Sequence, residues 1–91
     1  MAAAKILVKG LVQMVGYRYY TSRHAGKLGV KGYVRNLPSG DVEVVAQADN
    51  DTMDVFIELL KQGPRSAVVE AVRIDDGFIP ETDFKDFSVR F

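Results

Sequence analysis

The stretch that decides the organisation of this chain is Gly10-Leu11-Val12-Gln13-Met14-Val15-Gly16-Tyr17-Arg18. A strand-like run over residues 5–12 leads into it, and a helical segment over Tyr17–Leu28 leads out of it. The first N–H groups of a helix lack intrahelical acceptors, and the helix dipole adds partial positive charge there. A strand, a tight turn and a helix start in this order therefore favour an anion, above all phosphate. The sequence predicts a phosphate cradle at this turn.

Arg18 stands at the edge of the predicted cradle, and its planar guanidinium can donate to two phosphate oxygens at once. The alternative is an ordinary solvated arginine at a helix start. A cation near a helix N-terminus is, however, disfavoured by about 0.3–1 kcal/mol. A bound anion would offset that cost, so we expect Arg18 to bind phosphate.

Size and composition indicate one folded domain over residues 1–91, because 47% of the residues are hydrophobic and 26% are charged. The formal net charge is +0, which argues against a nucleic-acid-binding protein that works through a basic excess. The absence of cysteine excludes disulfides and thiolate metal sites. Because no signal peptide or bilayer-spanning apolar run is visible, we expect a cytoplasmic protein.

Period-two alternation and three-to-four spacing divide the rest of the chain into strands and helices. The predicted strands cover residues 5–12, 30–37, 41–48, 67–74 and 84–91, the last two being separated by a loop that contains Gly77 and Pro80. The first predicted helix, Tyr17–Leu28, stops at Gly29. Tyr20, His24, Lys27 and Leu28 recur along it at spacings of three and four, with Tyr17 and Ala25 on neighbouring positions. The second starts at residues 49–51, ends at residues 63–64, and has an apolar face made of Met53, Phe56, Ile57 and Leu60.

This order is β-α-β-β-α-β followed by a fifth strand. Two helices cannot cover both faces of a small sheet, so both are expected on one face. The predicted fold class is therefore α/β (α+β), a ferredoxin-like sandwich with an antiparallel-rich sheet of four to five strands.

The opening stretch also resembles the signature of the acylphosphatase family, G-x-V-Q-G-V-x-[FY]-R. The matching residues are Gly10, Val12, Gln13, Val15, Tyr17 and Arg18. The similarity continues through residues 32–36, Gly40, residues 42–43, 63–64 and 67–68, and so spans nearly the whole chain in order. The resemblance implies a ferredoxin-like fold and hydrolysis of small acyl phosphates to a carboxylate and inorganic phosphate.

The resemblance also implies roles for individual residues. Phosphate would be bound by the guanidinium of Arg18 and by the backbone N–H groups of Met14, Val15, Gly16 and Tyr17. Asn36, which spacing alone describes as a turn residue before a hairpin, would position the attacking water. A neutral amide can accept a hydrogen bond from water without placing negative charge beside an anionic phosphate. It cannot act as a base, so the proton would pass to a phosphate oxygen of the substrate.

That limit favours acyl phosphates over phosphate esters. An ester leaves as an alkoxide and needs a metal or a strong acid, whereas an acyl phosphate leaves as a carboxylate whose conjugate acid has a pKa of about 4. His24 is the single histidine, and the acidic residues show no ligand spacing. We expect no metal and no organic cofactor.

Met14 departs from the signature, which has glycine at that position. If the position requires a positive φ, methionine would cost about 1–2 kcal/mol there. We expect a cradle of altered shape, with reduced or condition-dependent activity.

Other functions remain open at this point. Similar domains occur at the front of larger hydrogenase maturation proteins that handle carbamoyl phosphate, and ferredoxin-like sheets also serve as binding modules. The position of the last predicted strand favours an independent domain. Tyr17, Tyr19 and Tyr20 could stack on bases, but core packing or a pocket rim is the simpler interpretation. We expect a monomer with a small-molecule acyl phosphate as substrate and inorganic phosphate as product and competitive ligand, and neither nucleic acid nor membrane as a partner.

Overall fold

A computed structural model of the protein describes residues 2–77 and 83–91, and within them the chain forms five strands and two helices. The elements are β1 (Ala2–Leu11), α1 (Tyr17–Leu28), β2 (Lys31–Asn36), β3 (Val42–Ala48), α2 (Asn50–Gln62), β4 (Val68–Asp75) and β5 (Phe87–Arg90). They build one sheet with the strand order β4-β1-β3-β2-β5. β1 pairs antiparallel with β3 and β4, β2 pairs antiparallel with β3, and β5 pairs parallel with β2. The predicted ferredoxin-like fold is confirmed.

The core lies between the helices and one face of the sheet. Helix α1 packs on β2 and β5, whereas α2 packs on β1, β3 and β4. Strand residues such as Ile6, Val8, Val34 and Val44 are fully buried because the pleat turns every second side chain towards the helices. The helices contribute Tyr17, Thr21, Ala25, Met53, Phe56 and Leu60. This arrangement places the start of α1 above the two strands at one side of the sheet.

The predicted helix boundaries are confirmed by their caps. Gly29 ends α1 in the left-handed conformation, with φ 74°, and its N–H donates to the Ala25 carbonyl. Asp49 precedes α2, and its carboxylate accepts a 2.7 Å hydrogen bond from the N–H of Thr52. Gly63 follows α2, and its N–H donates to the Leu59 carbonyl.

The stripe through Tyr20, His24 and Lys27 is not the buried side of α1. The buried side consists of Tyr17, Thr21 and Ala25. The small side chains of Thr21 and Ala25 allow the helix to approach the sheet closely. Tyr20 reaches sideways instead, and its hydroxyl donates to the Leu59 carbonyl of α2 at 2.8 Å.

The strand bounds agree with the predictions to within one residue, except at two ends. β1 begins at Ala2, three residues early, because residues 2–4 pair with the end of β3. The last strand begins at Phe87 and not at residue 84, because the Phe84 N–H donates to the side chain of Gln47 and its ring packs on Tyr33. Gly77 lies in the turn after β4, whereas Pro80 of the predicted loop lies outside the described residues.

Candidate active site

The turn between β1 and α1 is anchored on two sides. The side-chain amide of Gln13 donates to the carbonyls of Leu37 and Asp41, at 2.7 and 2.9 Å, and so joins the turn to the β2–β3 hairpin. On the other side, the hydroxyl of Ser66 donates to the Val15 carbonyl at 2.7 Å. These contacts fix the turn between two distant segments, so its backbone is held by tertiary structure as well as by local preference.

The backbone of the turn reverses through two left-handed residues. Met14 has φ 60°, and Gly16, which caps α1, has φ 78° and ψ 15°. Glycine adopts this conformation without a steric penalty, whereas methionine does not. The condition that the sequence analysis set for Met14, a positive φ, is therefore met. Its expected effect on activity stays a prediction.

The N-terminus of α1 has no side-chain cap and no acidic residue in its first turn. Gly16 offers no side-chain oxygen, although its carbonyl accepts the N–H of Tyr20. The first N–H groups of the helix and the positive end of its dipole thus face the turn, with no carboxylate in the first helical turn. This arrangement is able to bind an anion.

Arg18 contacts Arg90, the last residue of β5, and Phe91, which follows it. Its Nη1 donates to the Arg90 carbonyl at 3.1 Å, and its guanidinium carbon lies 4.5 Å from the centre of the Phe91 ring. No described carboxylate forms an ion pair with Arg18. The remaining guanidinium donors can therefore serve an anionic ligand.

Asn36 is the last residue of β2 and carries an unusual side chain. Its Oδ1 is buried and accepts no hydrogen bond from any described residue. Leaving a buried polar atom without a partner costs about 1–3 kcal/mol, and few such atoms occur in a folded protein. An acceptor of this kind is suited to a donor from solvent or from a ligand.

One open cavity of about 380 Å³ brings these groups together. Its lining residues are Val12, Met14, Gly16, Tyr17, Arg18, Tyr19, Ser22, Asn36, Val89 and Phe91. Five of the six residues predicted for the site are thus lining residues. Val15 is not, and its carbonyl is occupied by Ser66. No role was predicted for three other lining residues: Ser22 in the second turn of α1, Val89 in β5, and Phe91, which follows β5.

The ionisable side chains of Tyr17 and His24, near the turn, take part in packing and hydrogen bonds within the fold. Burial is the main cause that raises the pKa of Tyr17, whose hydroxyl donates to the Leu60 carbonyl at 2.7 Å. Burial first, and then the charges of Lys27 and Arg23, lower the pKa of His24. His24 stacks edge-on against Tyr20 and does not line the cavity. In the described residues, no group of three or more His, Cys, Asp or Glu side chains could hold a metal ion.

The sequence profile of the acylphosphatase family matches residues 4–89. The chain belongs to the acylphosphatase family. The acylphosphatase of Pasteurella multocida is 46% identical over 91 residues, which are 100% of both chains. The crystal structure of acylphosphatase from Bacillus subtilis has a TM-score of 0.94 and 30% sequence identity, again over 100% of both chains. The structure of HypF from T.kodakarensis has a TM-score of 0.88 and 31% identity over 99% of this chain but 12% of that protein.

This acylphosphatase hydrolyses acyl phosphates, so its substrate is a small molecule and phosphate is a product. None of the helices in the described parts of the chain is long and apolar enough to cross a bilayer.

Proposed function

We propose that this acylphosphatase binds the phosphoryl group with Arg18 and the backbone N–H groups of residues 14–17, and that Asn36 positions the attacking water. The observation that carries the proposal is the buried, unpartnered Oδ1 of Asn36 in the same cavity as Arg18 and the start of α1. Of the predicted phosphate ligands, Val15 has the least support because it does not line the cavity.

The phosphoryl group would lie at the N-terminus of α1. There the helix dipole and the free N–H groups offset its negative charge, and the guanidinium of Arg18 adds a full positive charge. Donors that are fixed before the substrate arrives stabilise the charge on the phosphoryl oxygens without reorganising during the reaction. The contacts of Gln13 and Ser66 with neighbouring segments supply that fixation.

The attacking water would donate a hydrogen bond to Oδ1 of Asn36 and keep both of its protons, which leaves an oxygen lone pair free to attack phosphorus. A new phosphorus–oxygen bond forms while the bond from phosphorus to the carboxyl oxygen breaks, and the bond electrons leave with the carboxylate. The proton of the water passes to a phosphoryl oxygen, since an amide is not a base. The leaving carboxylate is weakly basic, with a conjugate acid of pKa about 4, so the scheme requires no metal.

The proposal also includes the domain organisation, the oligomeric state and the location of the protein. Residues 1–91 would form one independent domain, supported by the one sheet and the one core that the described residues build. The protein would be a monomer in the cytoplasm, where the absence of cysteine fits a reducing compartment.

The experiment compares two pairs of variants in benzoyl phosphate hydrolysis and in calorimetric binding of inorganic phosphate. Arg18→Ala should lose both phosphate binding and turnover, whereas its control Arg23→Ala, on an exposed part of the same helix, should keep both. Asn36→Ala should lose turnover by about 10²–10³-fold and keep phosphate binding. Its control, Asn50→Ala, changes an exposed asparagine at the start of α2.

Turnover by Asn36→Ala at the parent rate would contradict the water-positioning role. Turnover that disappears with a chelator and returns with a divalent cation would contradict metal independence. The resemblance to domains of larger proteins that handle carbamoyl phosphate calls for a parallel assay with that compound. Hydrolysis of carbamoyl phosphate alone, or phosphate binding without any hydrolysis, would favour the alternative of a specialised or non-catalytic module.

A further inference from the structure

Three large exposed apolar side chains lie around the candidate active site. The described residues include seven such side chains in all: Leu11, Met14, Tyr19, Val55, Val68, Ile74 and Phe91. Three of the seven, Met14, Tyr19 and Phe91, line the one cavity that also contains Arg18 and Asn36. Scattered exposed apolar residues need no explanation, but a group of them around one cavity indicates a ligand surface.

These three side chains are not held by the core. Met14 is 100% exposed, Phe91 is 102% exposed and Tyr19 is 70% exposed. The cavity wall beneath them includes the apolar side chains of Val12 and Val89. A ligand that covered this rim would remove apolar surface from water, which is favourable in proportion to the area covered.

The rim is close to the group proposed to bind phosphate, because the Phe91 ring centre lies 4.5 Å from the guanidinium carbon of Arg18. In an acyl phosphate, one bridging oxygen and one carbonyl carbon separate phosphorus from the acyl substituent. A phosphoryl group bound by Arg18 therefore places that substituent among the rim residues. The rim offers methionine and two aromatic rings, which form favourable contacts with an apolar or aromatic group.

We propose that Met14, Tyr19 and Phe91 form an acyl subsite that selects acyl phosphates with a large apolar, preferably aromatic, acyl group over those with a small one. The proposal rests on the proposed function, since it requires the phosphoryl group to lie at Arg18. It assigns the side chain of Met14 to the acyl group, whereas the proposed function uses the backbone N–H of the same residue.

The test compares benzoyl phosphate with acetyl phosphate, which leave as carboxylates of similar basicity. The parent protein should prefer benzoyl phosphate in kcat/KM by about tenfold or more, within the range that hydrophobic pockets achieve. Phe91→Ala, Met14→Ala and Tyr19→Ala should each lower this ratio about two- to fivefold, and the triple variant should bring it close to one. The control Val55→Ala removes an exposed apolar side chain of α2 that does not line the cavity, and it should not change the ratio.

A binding readout without chemistry completes the design. Phenylphosphonate should inhibit the parent more strongly than methylphosphonate, and the triple variant should lose this difference. A benzoyl-to-acetyl ratio that the triple variant leaves unchanged, together with unchanged inhibition by the two phosphonates, would overturn the subsite. Failure of the proposed function is distinct, because Arg18→Ala would then leave turnover of both substrates intact while the ratio still responded to the rim variants.

Discussion

Replacing Met14 by glycine should stabilise this acylphosphatase, although the site lies in its candidate active-site turn. Met14 has φ 60° and a completely exposed side chain. A side chain in the left-handed region costs about 1–2 kcal/mol, and glycine removes that cost. No buried contact is lost, because the side chain lies in solvent.

The gain is reduced because glycine also increases the entropy of the unfolded chain, at a cost of about 0.4–1 kcal/mol. The expected net increase in the free energy of unfolding is therefore about 0.5–1 kcal/mol. For a domain of this size, that increase corresponds to a rise in Tm of about 3–6 °C.

Met14→Ala is the matched control, since alanine keeps the Cβ atom that causes the strain and removes the rest of the side chain. Urea and thermal unfolding of the parent and both variants measure the difference, with an unchanged m-value as the check that only stability has changed. We also expect higher kcat/KM with acetyl phosphate in Met14→Gly than in Met14→Ala, because a relaxed turn holds its N–H groups in place more often. Equal stability of the two variants would refute the strain argument.

Three further predictions concern the surroundings of the site. Gln13→Ala should lower the free energy of unfolding by about 1–3 kcal/mol and raise the KM for acyl phosphate, because two carbonyls lose their donor. Gln13→Glu should lower the free energy of unfolding further in urea unfolding, since a carboxylate would face both carbonyls. A smaller loss of stability in Gln13→Glu than in Gln13→Ala would contradict the donor role of Gln13. Gly26→Ala should stabilise the protein by about 1 kcal/mol in the same assay, because a Cβ there meets nothing within 4 Å in the middle of α1, and no gain would mean that the helix needs glycine at this point. For Glu43, burial acts to raise the pKa, but hydrogen bonds from Arg35 and Tyr33 outweigh it and lower the pKa on balance. The ionised carboxylate therefore stabilises the fold above the ordinary glutamate pKa of about 4.3. This stabilisation is lost as the pH falls through the lowered pKa of the folded state. The stability difference between the parent and Glu43→Gln should accordingly be largest near pH 6 and shrink towards pH 3, and a difference that stays constant with pH would refute the contribution of this carboxylate.

Local chemistry explains the parts of the fold that the sequence predicts well. Gly16, Gly29 and Asp49 mark helix ends because their backbone freedom or side-chain oxygen acts within three or four residues. Alternation in β1 likewise identifies Ile6 and Val8 as core residues. The fold class follows from these local signals, since few arrangements bury two helices and five short strands.

The candidate site depends on contacts that local patterns do not contain. Periodicity predicted helix α1 but did not identify its buried side, because the choice between the Tyr20 side and the Tyr17 side is decided by the sheet and by α2. The contact between Arg18 and the Arg90 carbonyl joins residues 72 positions apart. The rim residue Phe91 belongs to the strand predicted over residues 84–91, but the observed β5 ends at Arg90. Phe87 and Val89 pack against the core, whereas Phe91 follows the strand and lies in solvent.

The parallel pairing of β5 with β2 has a consequence for the order of folding. In the described residues β5 is the last strand along the chain, and it lies beside the strand that ends at Asn36 and contacts Arg18. Strands β1 and β3 can pair, and both helices can pack on them, before residues 87–90 join the edge of the sheet. The surroundings of Arg18 should therefore be completed in one late step, when β5 pairs with β2.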